Sequence, residues 1–166
     1  MKYCTKCLQP DTRPNAVFNE SGQCPACNYH EEINEVDWEE RYQILEELIE
    51  KYRKKSPKGF DCIIGVSGGV DSSYLVYLAK EILQLRPLIY HVDGGWNSRL
   101  AVSNIEKLID KLNLDLHTDV IYWPEMRDLQ LSFFKAQVPH LDTPQDHAFF
   151  SSMYNYAAKY NIKYIL

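Results

Sequence analysis

At 166 residues the chain is long enough for one packed domain and a small accessory module, and too short for several full domains. Hydrophobic residues make up 45% and charged residues 25%, a globular balance that excludes a disordered or fibrous chain, and no apolar run long enough to span a bilayer occurs. A formal net charge of −5 weighs against RNA or DNA as a partner, because such binding draws on Lys and Arg neutralising phosphates.

The N-terminal Met-Lys-Tyr-Cys-Thr-Lys-Cys lacks the apolar centre of a secretory signal, so the expected location is the cytoplasm. The same stretch opens a cysteine pattern. Cys4-x-x-Cys7 and Cys24-x-x-Cys27 stand sixteen residues apart, within the window of a four-thiolate zinc site. Two intervening residues let a tight knuckle aim both sulfurs at one ion, and Gly22 and Pro25 suit such turns. A module of residues 1–30 cannot bury a core of its own, so a structural zinc is the expected source of its stability. Two disulfides or an iron–sulfur cluster are weaker readings of the same cysteines, and His30 is a spare ligand that four thiolates do not need.

A helix is expected over Asp37–Arg53, with Trp38, Tyr42, Leu45, Ile49 and Tyr52 forming one apolar stripe for packing. The basic run Lys51–Lys58 reads as complementarity to the negative end of that helix. Ser56-Pro57-Lys58-Gly59 then breaks the pattern, which makes residues 31–58 a connecting helix and linker and starts a second domain at 59–166.

From there the pattern alternates. Apolar runs at Asp61–Val66, Leu88–Val92 and Asp119–Tyr122 predict strands, and amphipathic segments at Val70–Leu85 and Leu100–Leu112 predict the helices between them. Leu75, Leu78, Ile82 and Leu85 share the inner face of the first helix; Ile105, Leu108, Ile109 and Leu112 share that of the second. A further helix is expected from an N-cap at Thr143 with Pro144 in its first position, turning Phe149, Met153, Tyr156, Ala157 and Tyr160 inward. Ile162–Leu166 reads as a fourth strand. The fold class is therefore α/β, a parallel doubly wound sheet beside a small four-cysteine module.

Ser67-Gly68-Gly69-Val70-Asp71-Ser72-Ser73 falls at the carboxyl end of the first strand, where open α/β sheets bind ligands. Two glycines let the loop turn and bare its N–H groups, the helix adds its positive end, and Ser67, Ser72 and Ser73 add hydroxyl donors. Asp71 would repel an anion unless a divalent cation lies between them, and Mg²⁺ is the hard ion that suits carboxylate and phosphate together. Asp71, Ser67 and Ser72 are accordingly the candidate catalytic residues. The whole run Ser67, Gly68, Gly69, Val70, Asp71, Ser72 and Ser73 is the candidate phosphate socket. The motif is neither a Walker A loop nor a dinucleotide fingerprint. A second cluster, His91-Val92-Asp93-Gly94-Gly95-Trp96-Asn97-Ser98, follows the next strand and should face the same crevice, with Asp93 the candidate nucleotide or metal contact.

The loop resembles the pyrophosphate loop (PP-loop) of the N-type ATP pyrophosphatases, whose adenine-nucleotide alpha-hydrolase fold the chain is expected to share. The resemblance implies ATP and Mg²⁺ as cofactors: ATP is split between its α- and β-phosphates, AMP is joined to a substrate oxygen, and a nitrogen or sulfur nucleophile displaces it. Taken with the paired cysteines, the Trp38 helix, Val120–Gln130 and Asp142–Tyr154, the chain is similar to the N-acetyl sugar amidotransferases. That likeness implies conversion of an acetamido group to an acetamidino group in bacterial surface-glycan synthesis, the lipopolysaccharide, capsule, flagellin-glycan or pseudaminic acid setting, with ammonia from separate glutaminase and synthase-like subunits. Asp146 and His147 would lie toward the substrate.

Members of that family are more than twice as long, so the likeness also implies an incomplete sheet and a chain inactive alone. A tRNA sulfur transferase is the second reading. Cys62, the one cysteine outside the pairs, lies about 16 Å from Ser67 along an extended strand at ~3.3 Å per residue, too far to deliver sulfur directly. An inactive nucleotide-binding domain is the third.

Overall fold

The computed structural model describes residues 1–53 and 59–166; the side chain of Tyr52 also lies outside the described set, as does the expected break at 56–58 and most of the basic run. The chain divides into two compact units, Met1–Leu45 and Glu46–Leu166.

In the first unit, a hairpin-like turn carries Cys4 and Cys7, and helix α1 (Pro25–Asn34) starts one residue after Cys24. The sequence reading did not anticipate α1, although Pro25 at its first position is a start signal. Helix α2 spans Trp38–Arg53, and the Asp37 carboxylate caps it by accepting from the Glu40 amide at 3.0 Å. The expected packing stripe is corrected here: Trp38, Tyr42 and Leu45 are exposed.

The second unit is built on a parallel sheet in the order β1-β2-β3, from Cys62–Gly65, Pro87–Asp93 and Leu116–Val120. Ile64 lies opposite Ile89, and Tyr90 opposite His117. The third strand begins three residues earlier than Asp119: the preceding helix ends at Leu112 as expected, Asn113 in the left-handed region turns the chain, and Leu116 already pairs with Ile89. The expected fourth strand is a single parallel bridge, Ile63 to Ile165, with the Ile63 amide donating to the Tyr164 carbonyl at 2.9 Å and the Leu166 amide to that of Ile63 at 3.1 Å.

Helices cover both faces of the sheet, so β1 and β2 read as near-continuous apolar runs. On one face Cys62, Ile64, Val66 and Ile89 pack with Val76, Ala79 and Leu85 and with Ile105 of helix α4 (Arg99–Leu112); Ile49 of α2 packs there too. Helix α3 is Val70–Tyr77 and runs into a π-helical turn, Leu78–Ile82. That wider turn rotates the inner face onto Val76, Ala79 and Leu83, and leaves Ile82 exposed rather than buried as the even 3.6-residue spacing predicts. On the other face Ile63, Leu88, Tyr90 and Val92 meet Met153 and Ala157 of helix α6, which spans Thr143–Lys159.

Three details of the last third differ from expectation. Helix α5, Trp123–Lys135, was not anticipated, though Pro124 in its first turn and the acidic Glu125 mark its start. Thr143 is the first residue of α6 rather than its N-cap; Asp142 holds that position, and the Thr143 hydroxyl donates to the His140 carbonyl at 3.1 Å. Tyr160 lies past the end of α6 and is exposed.

Because β1 pairs with β2 on one side and bridges to Ile165 on the other, the chain reverses its winding direction at β1. The carboxyl end of β1 is thus the topological switch point of the sheet, where a crevice forms between neighbouring crossovers.

Candidate functional site

Two sites emerge, one in each unit. In the first, the sulfurs of Cys4, Cys7, Cys24 and Cys27 lie within 4.8 Å of one another. Cys4 and Cys27 are 3.8 Å apart, and Cys7 and Cys24 3.6 Å. Thiolates around one zinc at ~2.3 Å stand about 3.8 Å from each other, so these spacings fit the edges of a tetrahedron about a single ion. They are too wide for disulfides, and all five cysteines are free. A cubane cluster would set its thiolates farther apart, since the irons stand between them. His30 is exposed and outside the group.

Electrostatics agree with the geometry. The Cys4 thiol is pulled down to about 6, chiefly by the Cys7 amide and against the opposing effect of burial, with further help from Cys24 and Lys6. The Cys24 and Lys6 amides donate to its sulfur at 3.2 and 3.4 Å. Cys27 is pushed up to about 12, first by hydrogen bonding with the Cys7 side chain and next by burial. Four crowded thiols cannot all ionise unless a cation balances them. The residues therefore fit a divalent metal ion.

In the second unit the loop Ser67–Gly69 leaves β1 and enters α3. Gly68 has φ +77°, and a Cβ there would stand 2.4 Å from the Ala101 carbonyl oxygen. Only glycine allows both that backbone and that approach of α4. Asn104 of α4 clamps the same residue by donating Nδ2 to the Gly68 carbonyl at 3.0 Å. Gly69 is the extended N-cap residue of α3, and its carbonyl accepts from the Ser73 hydroxyl at 2.7 Å. Ser67 and Ser72 come together, their hydroxyl oxygens 3.5 Å apart. Val70, Asp71 and Ser72 follow as the first turn, with Asp71 exposed where the positive end of the helix favours a carboxylate. The structure thus gathers Ser67, Gly68, Gly69, Val70, Asp71, Ser72 and Ser73 into one strand-to-helix turn, with Ser67, Gly69, Val70 and Asp71 exposed, Ser72 and Ser73 half-buried and Gly68 buried.

Asp93 is half-buried, and its Oδ1 accepts from the Gly95 amide at 2.8 Å, which shapes the turn after β2. Its neighbour His91 is buried and has both nitrogens engaged. Val66 offers only a carbonyl to Nδ1, at 2.8 Å, and the Asn97 amide nitrogen only donates, at 2.9 Å to Nε2. The ring donates from Nδ1 to the Val66 carbonyl, and so ties the end of β1 to the turn after β2.

Between these ends and α6 lies a cavity of about 580 Å³. Val66, Ser67, His91 and Gly94 line its mouth, and Phe149, Met153 and Ile165 form its apolar walls. The Tyr90 hydroxyl and Ser152, 2.7 Å apart, fasten α6 over the sheet beside it. Its size falls in the range of nucleotide and cofactor pockets. The sequence reading did not single out Phe149 or Met153 as pocket residues, because their helical spacing reads equally as core.

A second cavity of about 680 Å³ adjoins it between α5 and the start of α6. Asp146 lines this one, whereas His147 is exposed outside both. Trp96 and Trp123 meet edge to face at 5.3 Å. Gly95, at φ +85°, makes room for them: a Cβ there would lie 2.5 Å from the Trp123 ring. Cys62 is buried on β1, and burial pushes its thiol up to about 12, so it is a core residue and a poor nucleophile.

Comparison with known proteins agrees with this architecture. The family profile described as NAD synthase matches residues 38–137. An uncharacterized protein of Methanocaldococcus jannaschii is 30% identical over 80 residues, 48% of this chain and 28% of that one. The tRNA-specific 2-thiouridylase MnmA of Hahella chejuensis is 36% identical over 84 residues, 45% of this chain and 23% of that one. Among solved structures, NMN synthetase from Francisella tularensis aligns with a TM-score of 0.54 at 22% identity, over 76% of this chain and 52% of that one. The NH3-dependent NAD synthetase from Campylobacter jejuni, in complex with nitrate, aligns at 0.50 and 20%, over 74% and 53%. The matches thus span about a quarter of each curated relative and about half of each solved structure.

Proposed function

Since the chain belongs to the NAD synthase family, we propose that its switch-point crevice binds ATP and that it serves an enzyme of the ATP-pyrophosphatase class, activating an acceptor oxygen by adenylation. The observation that carries this is the Ser67–Ser73 turn at the carboxyl end of β1, whose first residue, Ser67, lines the 580 Å³ cavity. The cavity takes the nucleoside, and the loop amides, the Ser67 and Ser72 hydroxyls and the N-terminus of α3 take the phosphates. Asp71 on the first turn of α3, with Asp93 at the end of β2 as the second candidate, would hold Mg²⁺, which would supply charge neutralisation for the leaving pyrophosphate. An acceptor oxygen displaces pyrophosphate from the α-phosphate, and a nucleophile then displaces AMP from the acceptor.

We take the acceptor to be an N-acetylated sugar and the nucleophile ammonia, supplied by a separate glutaminase with its synthase-like subunit, and the metal of the cysteine module to be a structural zinc. Support comes from the motif set extending through Asp142–Tyr154 and from the acidic balance of the chain. A second reading, sulfur transfer to tRNA, is favoured by the 36% identity to MnmA; burial of Cys62 counts against sulfur delivery from β1.

Calorimetric titration of ATP and AMP, followed by pyrophosphate release with a UDP-N-acetyl sugar and ammonium, tests the proposal. Asp71→Ala should weaken Mg²⁺-dependent ATP affinity by about tenfold or more, a loss of ~1.4 kcal/mol or above. Unchanged affinity in that variant would overturn the assignment of the loop, and pyrophosphate release driven by tRNA and not by the sugar would select the second reading.

A further inference from the structure

The cavity between α5 and α6 reaches beyond nucleotide binding, and its interpretation rests on the reading that the neighbouring crevice holds ATP. We propose that this cavity of about 680 Å³ is the acceptor subsite, that it receives the ring of a polyhydroxylated, uncharged sugar moiety, and that Gln145 presents the sugar's reactive carbonyl oxygen to the nucleotide.

Continuity is the first argument. Trp96 and Gln145 line both cavities, so a ligand in one meets a ligand in the other at those two side chains. The second argument is a hydrogen-bond chain whose direction is fixed. The Trp96 indole N–H can only donate, and it meets Gln130 Oε1 at 3.0 Å. Gln130 must therefore present Nε2 to Gln145, whose Oε1 accepts at 3.2 Å. This orients Gln145 so that its amide nitrogen is the terminal donor of the chain, at the junction of the two cavities. A donor there suits an amide or other carbonyl oxygen, the group that an adenylating site must hold in place.

The third argument is chemical class. Trp96 is 65% exposed and stands nearly perpendicular to Trp123, at 82°, which makes an apolar corner against which the C–H face of a sugar ring can rest. Asp142 and Asp146 line the same space against one guanidinium, that of Arg127. Carboxylates accept from sugar hydroxyls. A single-stranded nucleic acid asks for the opposite arrangement, aromatics set among lysines and arginines, and two acids would repel its backbone.

The test uses the full 166-residue chain saturated with AMP, so that the crevice is filled before the sugar is added. N-acetylglucosamine, glucosamine and total tRNA are titrated separately against wild type, an Asp142→Asn/Asp146→Asn double variant, Trp96→Ala and Gln145→Leu, with the near-ultraviolet circular dichroism of each variant checked against wild type. N-acetylglucosamine should bind wild type and lose about tenfold or more in affinity in the double variant and in Trp96→Ala, while AMP affinity stays unchanged in the double variant, whose two side chains line only the acceptor cavity. Gln145→Leu should erase the preference for N-acetylglucosamine over glucosamine. If AMP binds and the sugar does not, or the sugar binds all variants alike, the subsite is wrong and the nucleotide reading stands. Binding of tRNA that is lost in Trp96→Ala assigns the cavity to nucleic acid and overturns the proposal. Failure of AMP itself to bind wild type removes the nucleotide reading, and the acceptor subsite falls with it.

Discussion

At the scale of single residues, Gly68 shows how tightly the loop is specified. Its left-handed backbone and its approach to the Ala101 carbonyl are two separate reasons against a side chain. Gly68→Ala should cost about 1–3 kcal/mol from the backbone conformation alone, with a further cost from displacing α4, and should abolish ATP binding; a thermal melt and a calorimetric titration of the variant check both. Gly69 has an ordinary extended backbone, and a Cβ there would meet only the Ser67 hydroxyl, at 3.3 Å. Gly69→Ala should therefore fold normally. The two adjacent glycines look alike in the sequence, but only the first is dictated by backbone conformation.

At the scale of elements, β1 and β2 are fastened at their amino ends as well as along the ladder. Asp61 accepts from the Arg86 backbone amide at 2.8 Å and from its guanidinium at 2.7 and 3.0 Å, and the Asp61 amide donates back to the Arg86 carbonyl at 2.9 Å. Burial pushes the Asp61 carboxyl up, but these donors outweigh it and hold it below its ordinary value. A depressed carboxylate stabilises the fold above its unfolded pKa of about 3.9, and that contribution is lost as pH falls through the lower folded value. Asp61→Asn should thus be destabilised by about 1–3 kcal/mol at pH 7, and the gap to wild type should close as the pH drops below about 4; urea titrations across that range measure it. The strand and helix alternation that surrounds this clamp was legible, because β1 and β2 are short apolar runs and α4 carries a clear helical period. What the sequence hid has local causes. The π-helical turn at Leu78–Ile82 shifts the buried face without leaving a composition mark, β3 is mostly exposed and so has no apolar run to mark its start at Leu116, and α5 begins inside the Val120–Gln130 stretch. Trp123, Arg127 and Gln130 consequently escaped notice as lining residues, since their proximity to Trp96 depends on how the turn after β2 folds back.

At the scale of the whole molecule, the two units draw their stability from different sources. Met1–Leu45 has a buried cluster consisting of Cys4, Cys24 and Cys27 with Phe18 against it, too small to offset the entropy of ordering the segment. Removing the metal with a chelator should unfold α1 and the two knuckles while the cooperative melt of Glu46–Leu166 persists, to be followed by circular dichroism and by amide exchange resolved along the chain. Acid should release the metal as well, since protons compete with it for the four thiolates. In the second unit, the switch point has a consequence for timing. The β1 strand meets β2 after one short crossover, whereas its other flank waits for Ile165, roughly a hundred residues later in the chain. As the polypeptide is synthesised, the Ser67–Ser73 turn and α3 can form well before Ile165 arrives to bridge β1 and wall the 580 Å³ cavity, so that cavity is shaped only once a segment far along the chain has docked.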